Sequence, residues 1–126
     1  MLQHDHFQKN EAWIVFKLND TPIKTVADGD FDLIALMDAA SGVIVGSTLI
    51  SVTAAELSTD EASHLLDEGE AYWKQRADTL LVPTDFPATH LTVEAEQRGL
   101  PVVRVPEDQL LLFISQPRAE FKERMG

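Results

Sequence analysis

The spacing of apolar residues in this chain changes period part of the way along, and the change predicts strands first and alternating helices and strands afterwards. Ala12 to Leu18 (AWIVFKL) places Trp13 and Val15 on one face of an extended segment and Ile14, Phe16 and Leu18 on the other. Apolar residues on both faces predict an inner strand of a sheet covered on both sides. Asn19, Asp20 and Thr21-Pro22 read as a turn. Phe31 to Met37 and Val43 to Val52 predict two further strands, joined by the five-residue loop Asp38-Ala-Ala-Ser-Gly42. The first three strands form an antiparallel meander in this reading, and residues 1–10 are a flexible polar tail.

From Ser58 the period lengthens. Ser58-Thr-Asp-Glu61 has the form of a capping box, in which a serine oxygen and a glutamate carboxylate each satisfy an unpaired backbone donor. Leu65, Leu66, Tyr72 and Trp73 follow as one buried face of a helix from about Ser58 to Arg76. Thr79 to Val82 predicts a short buried strand. A second helix is expected over Pro87 to Arg98, with Gly99 as its left-handed stop. Val102 to Val105 is the fifth strand. Pro106 opens a third helix with Glu107 and Asp108 in its first turn, where the helix dipole favours acids. Pro117 is expected to break or kink that helix, leaving Phe121 and Met125 on one face of a last turn or two. The order βββαβαβα predicts one α/β domain over residues 1–126, with a five-stranded mixed sheet.

Composition narrows the function classes. The chain has 126 residues, 44% of them hydrophobic, which suits a single folded core. No apolar run reaches the ~20 residues needed to span a bilayer. No signal peptide is visible and there is no cysteine, which together point to a cytoplasmic protein without disulfides, thiol nucleophiles or thiolate metal sites. Twenty-one acidic residues against ten basic ones give a formal charge of -11. That field repels phosphate backbones and argues against nucleic acid as a partner. Phosphate-cradling loops, G-x-S-x-G and H-E-x-x-H are all absent from the sequence.

Two segments carry a resemblance. Asp38-Ala-Ala-Ser41-Gly-Val-Ile44-Val45-Gly46 reads D-x-x-S-x-x-I-V-G, and Leu80-Leu-Val-Pro-Thr84-Asp85 is followed by a helix, Gly99-Leu100 and a strand. Together they resemble the catalytic cores of integrases and transposases, and uncharacterised bacterial domains that share their ribonuclease H-like fold. The resemblance implies that fold. It also implies where catalysis would sit: family enzymes hold two divalent metals with an acid in the first strand, a second after the fourth strand and a third on a later helix. The first strand here offers Lys17 and no acid, and Asp20 lies just beyond it. Only Asp85 falls at a matching position, since Asp38 matches a motif residue that is not catalytic in the family. Glu120 and Glu123 lie on the terminal helix without a motif.

The expected function is therefore a non-catalytic interaction or regulatory module without a cofactor. Leu110, Leu111, Leu112, Phe113 and Ile114 run consecutively, more than one sheet face can bury from a helix, and with Phe121 they predict a homodimer or protein-partner interface. The opposing reading is that the C-terminal segment folds back over them. A metal-dependent nuclease using Asp85 is the first alternative. A small-ligand binder at the carboxyl ends of the strands, using Asp38 and Asp85, is the second. Each aspartate also has a structural reading: Asp85 as the cap of the second helix, Asp38 as the start of an Asx turn. His4-Asp-His6 has the alternation of a metal pair but no third ligand nearby in sequence, which leaves it a tail. His90 is placed to approach Asp85, while His64 reads as a surface or boundary residue.

Overall fold

In a computed structural model, which describes residues 1–125, the chain builds one mixed sheet with helices on both faces. The strands are β1 (Ala12–Lys17), β2 (Ile23–Lys24), β3 (Asp30–Asp38), β4 (Ile44–Ser51), β5 (Thr79–Pro83) and β6 (Val102–Val105). The helices are α1 (Thr59–Trp73), α2 (Thr89–Gln97) and α3 (Leu111–Met125), with 3-10 turns at His4–His6 and Glu107–Leu110. β3 lies antiparallel between β1 and β4, and β1, β5 and β6 run parallel. The long strands thus lie in the order β4-β3-β1-β5-β6. The sheet has six strands where the sequence pattern predicts five, because the chain after the Asn19–Pro22 turn pairs briefly with the start of β3 as β2.

The two-sided pattern of β1 sets the layers. Trp13 and Val15 point to the face covered by α1 and α2, where they pack with Leu36, Leu65, Leu66, Leu80 and Leu91. Ile14 and Phe16 point to the other face, against Leu110, Phe113 and Ile114. Every residue from Ala12 to Phe16 is buried.

α1 begins at the predicted capping box, with Ser58 Oγ accepting from the Glu61 N–H at 3.1 Å and the Glu61 carboxylate accepting from the Ser58 N–H at 2.9 Å. Its buried face differs from the expected one. Leu65 and Leu66 are inside, but Tyr72 is half exposed and stacks edge-on against Trp73. Gly69 takes the inner position instead. A Cβ there would lie 2.7 Å from Leu36 Cδ2 and 3.0 Å from Trp13 Cη2, so α1 sits closer to the sheet than a side chain allows. α1 ends at Trp73 rather than Arg76, because Lys74 turns left-handed at φ 57°.

One further expectation is corrected and another narrowed. Residues 1–10 are not a free tail: Leu2 and Phe7 pack on the core beneath α3, and the Leu2 N–H donates to the Gln109 carbonyl at 3.2 Å. Of the two outcomes expected at Pro117, the break does not occur: the proline lies within α3. The expected pairing of Phe121 with Met125 falls outside the described side chains. Among the described residues no helix is long and apolar enough to cross a membrane.

Candidate functional site

β1 and β5 run parallel, so Lys17 at the end of β1 and Asp85 just past β5 arrive at the same end of the sheet. They line one cleft of about 340 Å³. Ile34, Ile50, Leu57 and Phe86 supply its apolar surface, and Asp32, Glu56, Glu107 and Arg118 the rest of its charge. A cleft at the carboxyl ends of parallel strands is the usual ligand position in open α/β sheets.

Most of these charges are already committed to one another. Glu107 pairs with Arg118 at 2.8 Å, and Arg118 Nε donates to the Lys17 carbonyl at 2.9 Å. Asp32 accepts from the Asn19 side-chain amide at 3.0 Å. Glu56 caps α2 from outside the helix, accepting from the Thr89 N–H at 2.7 Å and the His90 N–H at 3.2 Å, with His90 Nε2 3.2 Å away. Among the described residues no hydrogen bond or ion pair engages the Lys17 ammonium or the Asp85 carboxylate. Asp85 therefore does not cap α2, which starts two residues later than expected with Ala88 at the cap position. Nor does His90 pair with Asp85, since its partner is Glu56.

Glu56 carries a pH dependence. Burial alone would raise its carboxyl, but the Thr89 and His90 N–H groups, and then the His90 ring, hold it below the ordinary glutamate value. A lowered folded-state pKa contributes stability that is complete above the unfolded value and lost as pH falls through the folded one. Glu56→Gln is expected to cost about 1 kcal/mol at neutral pH, the scale of a helix cap. The difference from the native chain should shrink on descending below about pH 4. Urea denaturation of both chains across that range measures it, and a gap that stays constant with pH would show that the charge on Glu56 contributes nothing.

Asp38 lies at the other end of the sheet. It is the last residue of β3, opposite Trp13 near the start of β1, so the structure does not bring it together with Asp85. Its side chain is fully buried. Oδ1 accepts from the Asn10 N–H at 2.8 Å, and Oδ2 from the Ser41 hydroxyl at 2.6 Å and the Ser41 N–H at 3.2 Å. The second pair of bonds is the expected Asx-type turn, closed by Gly42 at φ 74°. Nothing in sequence points to the bond with Asn10.

Leu110, Phe113 and Ile114 are buried, leaving Leu111 (40% exposed) and Leu112 (51%) as the outward part of the apolar run. Phe121 is half-buried beside the Asn19–Lys24 segment. The cover over the run comes from the N-terminus and not from a C-terminal fold-back: the His4 and Phe7 rings sit 4.6 Å and 6.0 Å from that of Phe113. This also occupies the two histidines considered for metal. His4 Nδ1 lies 2.6 Å from the Ala39 carbonyl, and His6 Nδ1 accepts from the Gln3 N–H. His64 is at the surface, 3.3 Å from Glu68. Among the described residues no three His, Asp or Glu side chains come together in a group able to hold a metal ion.

No protein-family model matches the chain, and a search of curated proteins gives no match.

Proposed function

We propose that the chain is a non-catalytic regulatory module with a ribonuclease H-like fold, and that it binds a small organic ligand in the cleft between Lys17 and Asp85. The strand order β4-β3-β1-β5-β6, with α1 and α2 on one face and α3 on the other, supports the fold assignment. The observation that carries the ligand reading is the cleft itself: an open volume lined by both apolar and charged side chains at the carboxyl ends of β1 and β5.

A metal-dependent phosphoryl-transfer enzyme is the second reading. It has one observation in its favour, since Asp32, Glu56 and Glu107 all share the cleft with Asp85. Three of those four carboxylates, however, are engaged by Asn19, by α2 with His90, and by Arg118. A ligand set for two metals needs them free.

Two titrations separate the readings. Calorimetry with Mn²⁺ and Mg²⁺ is expected to give no saturable binding that Asp85→Asn removes. A mixture of small organic fragments is expected to shift the backbone amide resonances of Glu56, Leu57 and Phe86. Metal binding that depends on Asp85 would move the assignment to phosphoryl transfer. Amides that stay still through the fragment titration would remove the ligand reading.

A further inference from the structure

We infer that the cleft takes a small zwitterion with an apolar body, its carboxylate held by Lys17 and its ammonium by Asp85; the inference rests on the ligand-binding reading above. Six charged side chains line the cleft. Glu107 and Arg118 neutralise each other, Glu56 is held by α2 and His90, and Asp32 by Asn19. Among the described residues that leaves one unpartnered cation and one unpartnered anion, and no ion pair joins them. A ligand with a single charge would pair with one and leave the other to water. Asp85 is exposed and Lys17 half-buried, and a ligand with both charges offers a partner to each.

The backbone beneath both groups is held in place. Lys17 is half-buried, and its backbone is fixed by β1 pairing with Ile34 and by Arg118 at its carbonyl. Asp85 sits in a turn between Pro83 and Pro87. The Thr84 N–H donates to Val105, the Phe86 N–H donates to Pro83, and Arg104 braces the Pro83 carbonyl at 2.9 Å. Two prolines and three hydrogen bonds leave little backbone freedom at this turn to lose on binding, while the exposed Asp85 side chain keeps its own rotation. Ala54, Ala55, Phe86 and Pro87 are the more exposed apolar residues of the lining and the surface offered to the apolar body.

The test follows the amides of Glu56, Leu57 and Phe86 during titration with four probes. L-leucine and ε-aminocaproate carry both charges at two separations, N-acetyl-leucine carries only the carboxylate, and leucinamide only the ammonium. At least one zwitterion is expected to saturate, with the single-charge probes about tenfold weaker or worse. Lys17→Met should erase the advantage over leucinamide, and Asp85→Asn the advantage over N-acetyl-leucine. Single-charge probes that bind as tightly as the zwitterions overturn the inference and leave the cleft a ligand site. So does a cleft that answers neutral fragments but none of the four probes. Silence toward both sets overturns the inference together with the reading beneath it.

Discussion

Asp38→Ala is expected to destabilise the domain by about 3–4 kcal/mol, a large share of the ~5–15 kcal/mol that holds a typical domain folded. The carboxylate is fully buried and accepts three hydrogen bonds, from the Asn10 N–H and from the Ser41 N–H and hydroxyl. Alanine leaves the buried Asn10 N–H without an acceptor and gives up both bonds to the exposed Ser41, and most of the cost arises at Asn10. The loss spreads through Asn10. Its backbone is left-handed at φ 60°, its side-chain oxygen accepts from Trp13 Nε1 at 2.8 Å, and its amide donates to the Gln75 carbonyl at 3.0 Å. Asp38 thus ties the end of β3 to the entry into β1 and to the exit from α1. Asp38→Asn keeps one acceptor oxygen for Asn10 and should cost only about 1–2 kcal/mol. Urea denaturation measures both, through the midpoint at unchanged slope. A loss under about 0.5 kcal/mol in the alanine variant would mean that the network is not formed as described.

That network shows how far the sequence could be read. The Asp38–Ser41 turn was legible because both partners lie within four residues and the spacing has a known local geometry. The bond from Asn10 crosses 28 residues and has no local signature. The same division runs through the fold. β1, the β3–β4 hairpin, the α1 capping box and the Gly99 stop follow from neighbours in the chain, and they appear where the pattern predicts them. Tyr72 and Gly69 do not. Helical spacing makes Tyr72 a core candidate, but the close approach of α1 to Trp13 favours the residue with no side chain, and the tyrosine turns outward.

The cleft was legible in one residue. Asp85 stands out because it follows a buried strand and matches a motif position. Lys17 entered only as a mismatch, a lysine where the resemblance implies an acid. Asp32, Glu56 and Glu107 gave no signal of a shared site: each is one acid among twenty-one, Glu107 reads only as a first-turn helix acid, and the three come from β3, the β4–α1 loop and the turn after β6. Glu56 is the clearest example. It lies between the third predicted strand and the Ser58 capping box in a segment with no motif, yet it caps a helix 33 residues further on. A cap that comes from outside the helix leaves no trace in the helix's own sequence, and so the role fell by default to Asp85.

Phe113→Ala should cost about 3–5 kcal/mol, while Leu112→Ala, its neighbour in an unbroken apolar run, should stay within about 0.5 kcal/mol of the native chain. Phe113 is 1% exposed and Leu112 51%. Removing the buried ring leaves a cavity between α3 and the face of the sheet that carries Ile14 and Phe16. It also removes the surface on which the His4 and Phe7 rings rest. Hydrogen exchange should therefore report a second effect: the amides of His6 and Phe7, which donate to Gln3 and His4, lose protection in Phe113→Ala and keep it in Leu112→Ala. The contrast separates the two ways such a run can be satisfied. If the chain's own N-terminus covers it, the inward residue carries the stability and the outward pair Leu111 and Leu112 is left for whatever contact the surface makes. Two variants with equally small losses would mean that α3 is not docked as described, and the whole run from Leu110 to Ile114 would again be free to form an interface with another chain.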